Sequence, residues 1–153
     1  MTRLLRPSLG IMLSPLVLAA CGNPSQPVGT YPTYRFTCCT GSDIKQVWHP
    51  GQTVDLHFMV ETGPLTADSA EHSLVLSAAL SGAYADVATL KKAGGPALIQ
   101  GPVIKTSDRN ATPPLLSFVL PPDLPPGFYN LTIKWDSGGG NYWSTGSIVQ
   151  VGP

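Results

Sequence analysis

The sequence predicts an all-β domain, a two-sheet antiparallel β-sandwich, and three observations carry that expectation. Apolar residues recur at every second position in several short runs, which is the period of a half-buried strand. Sixteen glycines and sixteen prolines punctuate those runs, so the breaks fall at residues that favour turns. Charged residues make up 12% of the 153, about half the usual globular share, which leaves few to cover solvated helix faces. A hydrophobic content of 42% supports a core, and the length suits one domain. Nine basic residues balance nine acidic ones, so no basic surface invites nucleic acid.

The first element is an address. Arg3 and Arg6 form a positive n-region ahead of the apolar run Leu9–Ala20. That run falls short of the ~20 residues a membrane-spanning helix needs. It ends in Leu18-Ala19-Ala20-Cys21, where small side chains expose the backbone to a peptidase and a thiol follows the cut. The tetrapeptide resembles the lipobox of bacterial lipoproteins. The resemblance implies a signal peptide over residues 1–20 and a mature chain lipidated at Cys21, with acyl chains such as palmitate. The protein would then sit at the extracytoplasmic face of the cell membrane. One acyl chain anchors only marginally, at ~0.8 kcal/mol per buried CH2, whereas two or more hold firmly. Cleavage removes two of the nine basic residues, so seven face nine acidic ones and the mature chain is mildly acidic.

Residues 21–34 read as a lipidated N-terminus and tether. Gly22–Thr33 holds three prolines, two glycines and no charge, giving a reach of ~35–40 Å at ~3.1 Å per residue if extended. The sandwich is assigned to residues 35–153.

Within it, Thr53–Glu61 alternates, with Val54, Leu56, Phe58 and Val60 inward and Asp55, His57, Met59 and Glu61 outward. Trp48-His49-Pro50-Gly51 supplies the preceding turn. Leu115–Leu120 and Gly146–Val151 read as strands, and Ala97–Lys105 as a weaker one. Phe128–Trp135 directs Tyr129, Leu131, Ile133 and Trp135 inward. In Thr66–Ala93 two signals compete. Asp68-Ser69-Ala70-Glu71 has the form of a helix capping box, yet Leu74, Leu76, Ala78 and Leu80 alternate. The alternation favours strands, with a short helical turn near Ala88–Lys92.

The segment Leu124-Pro125-Pro126-Gly127-Phe128-Tyr129-Asn130-Leu131 resembles the entry to the penultimate strand of immunoglobulin-like domains. The resemblance implies an immunoglobulin-like β-sandwich in which Tyr129 bonds back to the backbone at a corner. A closing hairpin through Asp136–Asn141 completes it.

Three features could carry chemistry. With Cys21 lipidated, the adjacent pair Cys38-Cys39 remains. Outside the membrane thiols are normally oxidised, so a vicinal disulfide forming a rigid turn near Gly41 is the leading reading, although neighbouring Cα atoms ~3.8 Å apart lie below the usual disulfide range. Unpaired buried thiols, a redox or soft-metal pair and a bridge to another chain stay open. Second, His57 and Met59 share the outward face of one strand, and imidazole with thioether suits copper. The end of the chain, from Gly127 to Val151, is similar to that of the small periplasmic copper-resistance binding proteins. That family uses a histidine at its mature N-terminus and another in an Asp-Gly-His turn. Here the N-terminus is Cys21, and Asp136–Asn141 contains no histidine, so His57 and Met59 read first as an ordinary sheet face. Third, among Tyr31, Tyr34, Trp48, Tyr142 and Trp143, an aromatic set able to form a binding face, Tyr142 and Trp143 are the expected exposed contacts.

No nucleophile elbow, phosphate loop or zinc-protease spacing is present. Ser42-Asp43-Ile44-Lys45 fits S-x-x-K by chance, because the strand motif that chemistry needs does not follow. The expectation is a non-catalytic binding or structural module without a cofactor, anchored to the membrane and facing an envelope protein or glycan. The alternative is a periplasmic copper-binding protein with His57, Met59 and the cysteines as ligands.

Overall fold

The computed structural model describes residues 29–68, 70–93 and 95–153. The lipobox, Cys21 and the first part of the tether lie outside these residues. Among the described residues eight strands form two sheets. The smaller contains β1 (Tyr34–Cys38), β3 (Thr53–Thr62) and β6 (Leu115–Val119), in the order β1-β3-β6. The larger contains β2 (Val47–Trp48), β4 (Ser73–Tyr84), β5 (Ile99–Ser107), β7 (Gly127–Asp136) and β8 (Tyr142–Val151), in the order β2-β8-β7-β4-β5. All neighbours are antiparallel except β2, which lies parallel to the end of β8 through Val47↔Gln150 and Trp48↔Val151. The first part of the domain thus changes sheets: β1 belongs to the small sheet and β2 to the large one.

Alternation builds the core. The small sheet turns in Phe36, Val54, Leu56, Phe58, Leu116 and Phe118. The large sheet answers with Leu74, Leu76, Ala78, Leu80, Leu131, Ile133, Trp135, Val149 and Val151. Full burial of each large aliphatic side chain stabilises by about 1.5–3 kcal/mol, so this layer holds the sheets face to face. At the corner before β7 the Tyr129 hydroxyl donates to the Pro125 carbonyl at 2.6 Å, as the Leu124–Leu131 resemblance implies. Burial pushes that hydroxyl's pKa up.

The segment with competing signals resolves by period. Its alternating half is β4, with Leu74, Leu76, Ala78 and Leu80 buried. Helix is confined to α2 (Val87–Lys92), where the Asp86 side chain accepts from the Thr89 N–H. Asp68 caps no helix; its side chain accepts from the Ala70 N–H in a local turn.

Four sequence expectations are corrected. The stretch near Gly41 forms a short helix, α1 (Gly41–Lys45), rather than a simple turn. Trp48 is no surface aromatic: pairing of β2 with β8 buries it completely, edge-on to Phe118. β8 begins at Tyr142, not Gly146, because its register with β7 runs unbroken from Gly127↔Val151 to Asp136↔Tyr142. The tight turn this needs is made by Gly138, Gly139 and Gly140, all at positive φ, a region costly for residues with a Cβ. β5 likewise runs on to Ser107 beside β4.

Candidate functional site

The small sheet has three strands and the large one five, so the large sheet is left partly uncovered. Along β7 the inward residues are buried to the end. In β8, burial is reached only towards the end of the strand, at Val149 and Val151, whereas Tyr142–Gly146 are exposed. Trp143 pairs with Trp135 across the strands and stacks on it, with centroids 6.3 Å apart and planes 11° from parallel. Trp135 is core; Trp143 remains 51% exposed. Tyr142, of opposite parity, is 74% exposed on the outer face. Trp135 also packs edge-on to Phe58, and among the described residues its buried indole N–H has no acceptor.

This uncovered region is one wall of a cleft of about 690 Å³, within the usual size of small-ligand sites, ~300–1,000 Å³. Trp135 and Trp143 contribute its aromatic side. The opposite wall is β1, from Tyr34 to Thr37, with Glu61 beside it on β3. Arg35 and Glu61 are cross-strand neighbours. His72 and Asp108 close the end, where β4 starts and β5 stops.

His72 and Asp108 form a clamp. One carboxylate oxygen accepts the His72 backbone N–H at 2.9 Å, and the other meets ring Nδ1 at 2.8 Å. The Asp108 N–H donates back to the His72 carbonyl at 3.1 Å, and the Tyr34 N–H donates to the Asp108 carbonyl at 2.8 Å. Burial pushes the Asp108 carboxyl up, but hydrogen bonds from the His72 backbone and ring, with the charges of His72 and Arg109, outweigh it and hold the pKa below the usual carboxylate value. His72 Nε2 lies 3.7 Å from the Asp68 carboxylate. The Asp108 carboxylate therefore fixes the ring through Nδ1, while Nε2 at 3.7 Å from Asp68 is beyond hydrogen-bond distance.

Arg109 fixes the rim. Its guanidinium donates to the carbonyls of Pro32 at 2.9 Å, Ala70 at 3.3 Å and Asp68, and lies 4.8 Å from the centre of the Tyr31 ring. Tyr31 bridges Thr66. Residues 31–34, assigned by composition to the end of the tether, are therefore held against the sandwich at the mouth of the cleft.

A second clamp of the same design lies at the other end of β1, beyond Cys38. Asp43 in α1 is almost wholly buried. Its carboxylate accepts the His57 backbone N–H at 2.8 Å and meets ring Nδ1 at 3.0 Å. Its main-chain carbonyl accepts the Trp48 indole N–H at 2.9 Å. Burial pushes this carboxyl up, yet the hydrogen bonds from His57 and Thr40 prevail and lower its pKa. The His57 side chain is 57% exposed, and Met59 stands two residues along the same face, also exposed. Cys38 and Cys39, at the start of this corner, are joined to each other by a disulfide. Bridged thiols cannot ligate metal as thiolates. Among the described residues no group of three or more His, Cys, Asp or Glu side chains is arranged to hold a metal ion.

Sequence reasoning singled out Tyr142, Trp143, His57 and Met59 but missed Asp43, His72 and Asp108 as partners. His72 and Asp108 are 36 positions apart, and no local signal joins them. Only the alternation of Ser73–Tyr84 hinted that His72 stands at a strand's start.

No protein-family model matches the chain, and no curated protein does. Among solved structures it is similar to the crystal structure of Spo0M, a sporulation control protein from Bacillus subtilis, at 14% identity and a TM-score of 0.43. The match covers 78% of this chain and 49% of that one, so the chain spans about half the length of Spo0M.

Proposed function

We propose that this chain is a bacterial lipoprotein, lipidated at Cys21 and held at the extracytoplasmic face of the cell membrane, and that its sandwich is a non-catalytic module binding an envelope ligand. The observation that carries the binding role is the cleft between the uncovered start of β8 and the edge strand β1, with two stacked tryptophans on one side and polar side chains on the other. An aromatic wall with a few convergent polar groups is the usual make-up of a ligand site. The His72–Asp108 clamp supports the reading by fixing a polar pair on the cleft wall. Thr33 lies on the cleft wall, so the tether arrives at the same end, and the lipid at Cys21 would hold that end towards the membrane.

Detergent-phase partitioning tests the anchor. The wild-type protein enters the detergent phase, and Cys21→Ala shifts it to the aqueous phase; unchanged partitioning would remove the lipid from the proposal. Copper binding is the second reading, and one observation favours it. A histidine whose Nδ1 is held by a carboxylate, as Asp43 holds His57, presents Nε2 in the manner of metal-ligating histidines. Cu(I) titration followed by calorimetry distinguishes the two: stoichiometric binding lost in His57→Ala would establish copper as the ligand.

A further inference from the structure

Building on the binding role of the cleft, we infer that its ligand is an uncharged saccharide, which packs a ring face on Trp143 and spends its hydroxyls on Arg35, Glu61, His72 and Asp108. Three observations lead there.

The first is the unequal use of the two indoles. Trp135 is buried and supports Trp143 from behind by parallel stacking. Trp143 is thus a rigid, half-exposed aromatic plate, with few rotamers left to freeze on binding. The apolar C–H face of a pyranose ring matches such a plate, and a stacked aromatic contributes area at little entropic cost.

The second is the kind of polar group. Carboxylate, guanidinium and imidazole are planar, and each presents two in-plane hydrogen-bonding atoms. Neighbouring equatorial hydroxyls of a sugar offer paired donors and acceptors at matching spacing. The His72–Asp108 clamp holds its members in place before any ligand arrives, and the Arg35–Glu61 pair sits across adjacent strands. Such preorganisation raises affinity by reducing ordering on binding.

The third is charge. Arg35 stands opposite Glu61 on the neighbouring strand, and His72 faces Asp108. Arg109, the next cation, is committed to three carbonyls and the Tyr31 ring. A phosphate or nucleotide would meet the carboxylates of Glu61 and Asp108 on the cleft wall. A quaternary ammonium would meet Arg35. A neutral ligand rich in hydroxyls meets neither conflict, because like-charge juxtaposition is what disfavours the wrong partner.

The test uses the full chain in detergent micelles, titrated with cellotetraose, maltotetraose and tetra-N-acetylchitotetraose and followed by tryptophan fluorescence and calorimetry. At least one sugar is expected to saturate with a Kd between about 10 µM and 1 mM. Trp143→Ala should weaken that binding at least tenfold. Glu61→Gln, which keeps size and fold, should weaken it by about three- to tenfold. Absence of saturation by all three sugars at about 10 mM, with circular dichroism showing a folded chain, overturns the inference. So does sugar binding that survives Trp143→Ala. If an uncharged extended peptide saturates instead and Trp143→Ala abolishes it, the saccharide is wrong and the binding module stands. Failure of the peptide as well counts against both.

Discussion

The two histidine–aspartate clamps are built alike and do different work. In each, one carboxylate takes the backbone N–H and ring Nδ1 of a single histidine. Each histidine ring is more than half exposed, whereas its aspartate is shielded, Asp43 more than Asp108. In the first clamp the aspartate comes from α1 and ties that helix to β3, beneath the disulfide corner. In the second it comes from the end of β5 and ties that end to the start of β4, on the wall of the cleft. The same local chemistry therefore closes a corner in one place and stiffens the wall of the cleft in the other. What separates them is the surroundings: Trp48 fills the space below Asp43, whereas an open cleft lies beside Asp108.

The comparison can be broken on the Asp43 side first. Asp43→Ala leaves the His57 N–H without its acceptor and a gap beside Trp48, so chemical denaturation should reveal a loss of about 2–3 kcal/mol. Ligand binding in the cleft should stay within twofold of wild type. Asp108→Ala is expected to reverse that ranking, with a loss of about 1–2 kcal/mol because the site is more open, and at least a tenfold loss of saccharide affinity. If both variants lose stability and affinity in equal measure, the division of labour is wrong.

Acid sharpens the comparison next. Both carboxyls have folded pKa values below their ordinary value, so each contributes stability that is complete above the unfolded pKa of about 3.9. That contribution is lost as pH falls through this value towards the folded pKa. Denaturation midpoints measured from about pH 5 down to pH 2 should therefore fall, and the fall should be shallower in Asp43→Asn. The smallest effect belongs to the imidazoles. His57→Gln and His72→Gln keep the backbone N–H bond and remove one exposed ring contact, so each should cost under about 1 kcal/mol. Thermal melts of the two variants would check this, and a larger loss in either would give its ring a packing role.

Local period made the strands legible. Val54, Leu56 and Phe58 in β3, and Tyr129 through Trp135 in β7, alternate in the chain and are buried in the fold, because side-chain direction in a strand depends on position alone. The tyrosine corner was legible for the same reason, since donor and acceptor lie four residues apart. The Cys38–Cys39 pair is equally local. Trp48 was misread because its two-residue strand shows no period and its burial depends on β8, a hundred positions away.

The candidate site divides along the same line. Tyr142 and Trp143 read as an exposed pair beside a glycine turn, and both are exposed, but that they take opposite faces of the sheet was not legible. Trp143 has the parity of a core residue and is exposed only because the small sheet stops at three strands. His72 and Asp108 meet because β4 and β5 pair in a register that brings Ser73 opposite Ser107.

By itself, then, the sequence determined the all-β class and the inward face of the long central strands, both consequences of spacing along the chain. The tertiary structure decided which inward positions found a partner, which aspartate each histidine received and where the cleft opened. Those outcomes follow from how many strands face one another and in what register, and long-range pairing settles both.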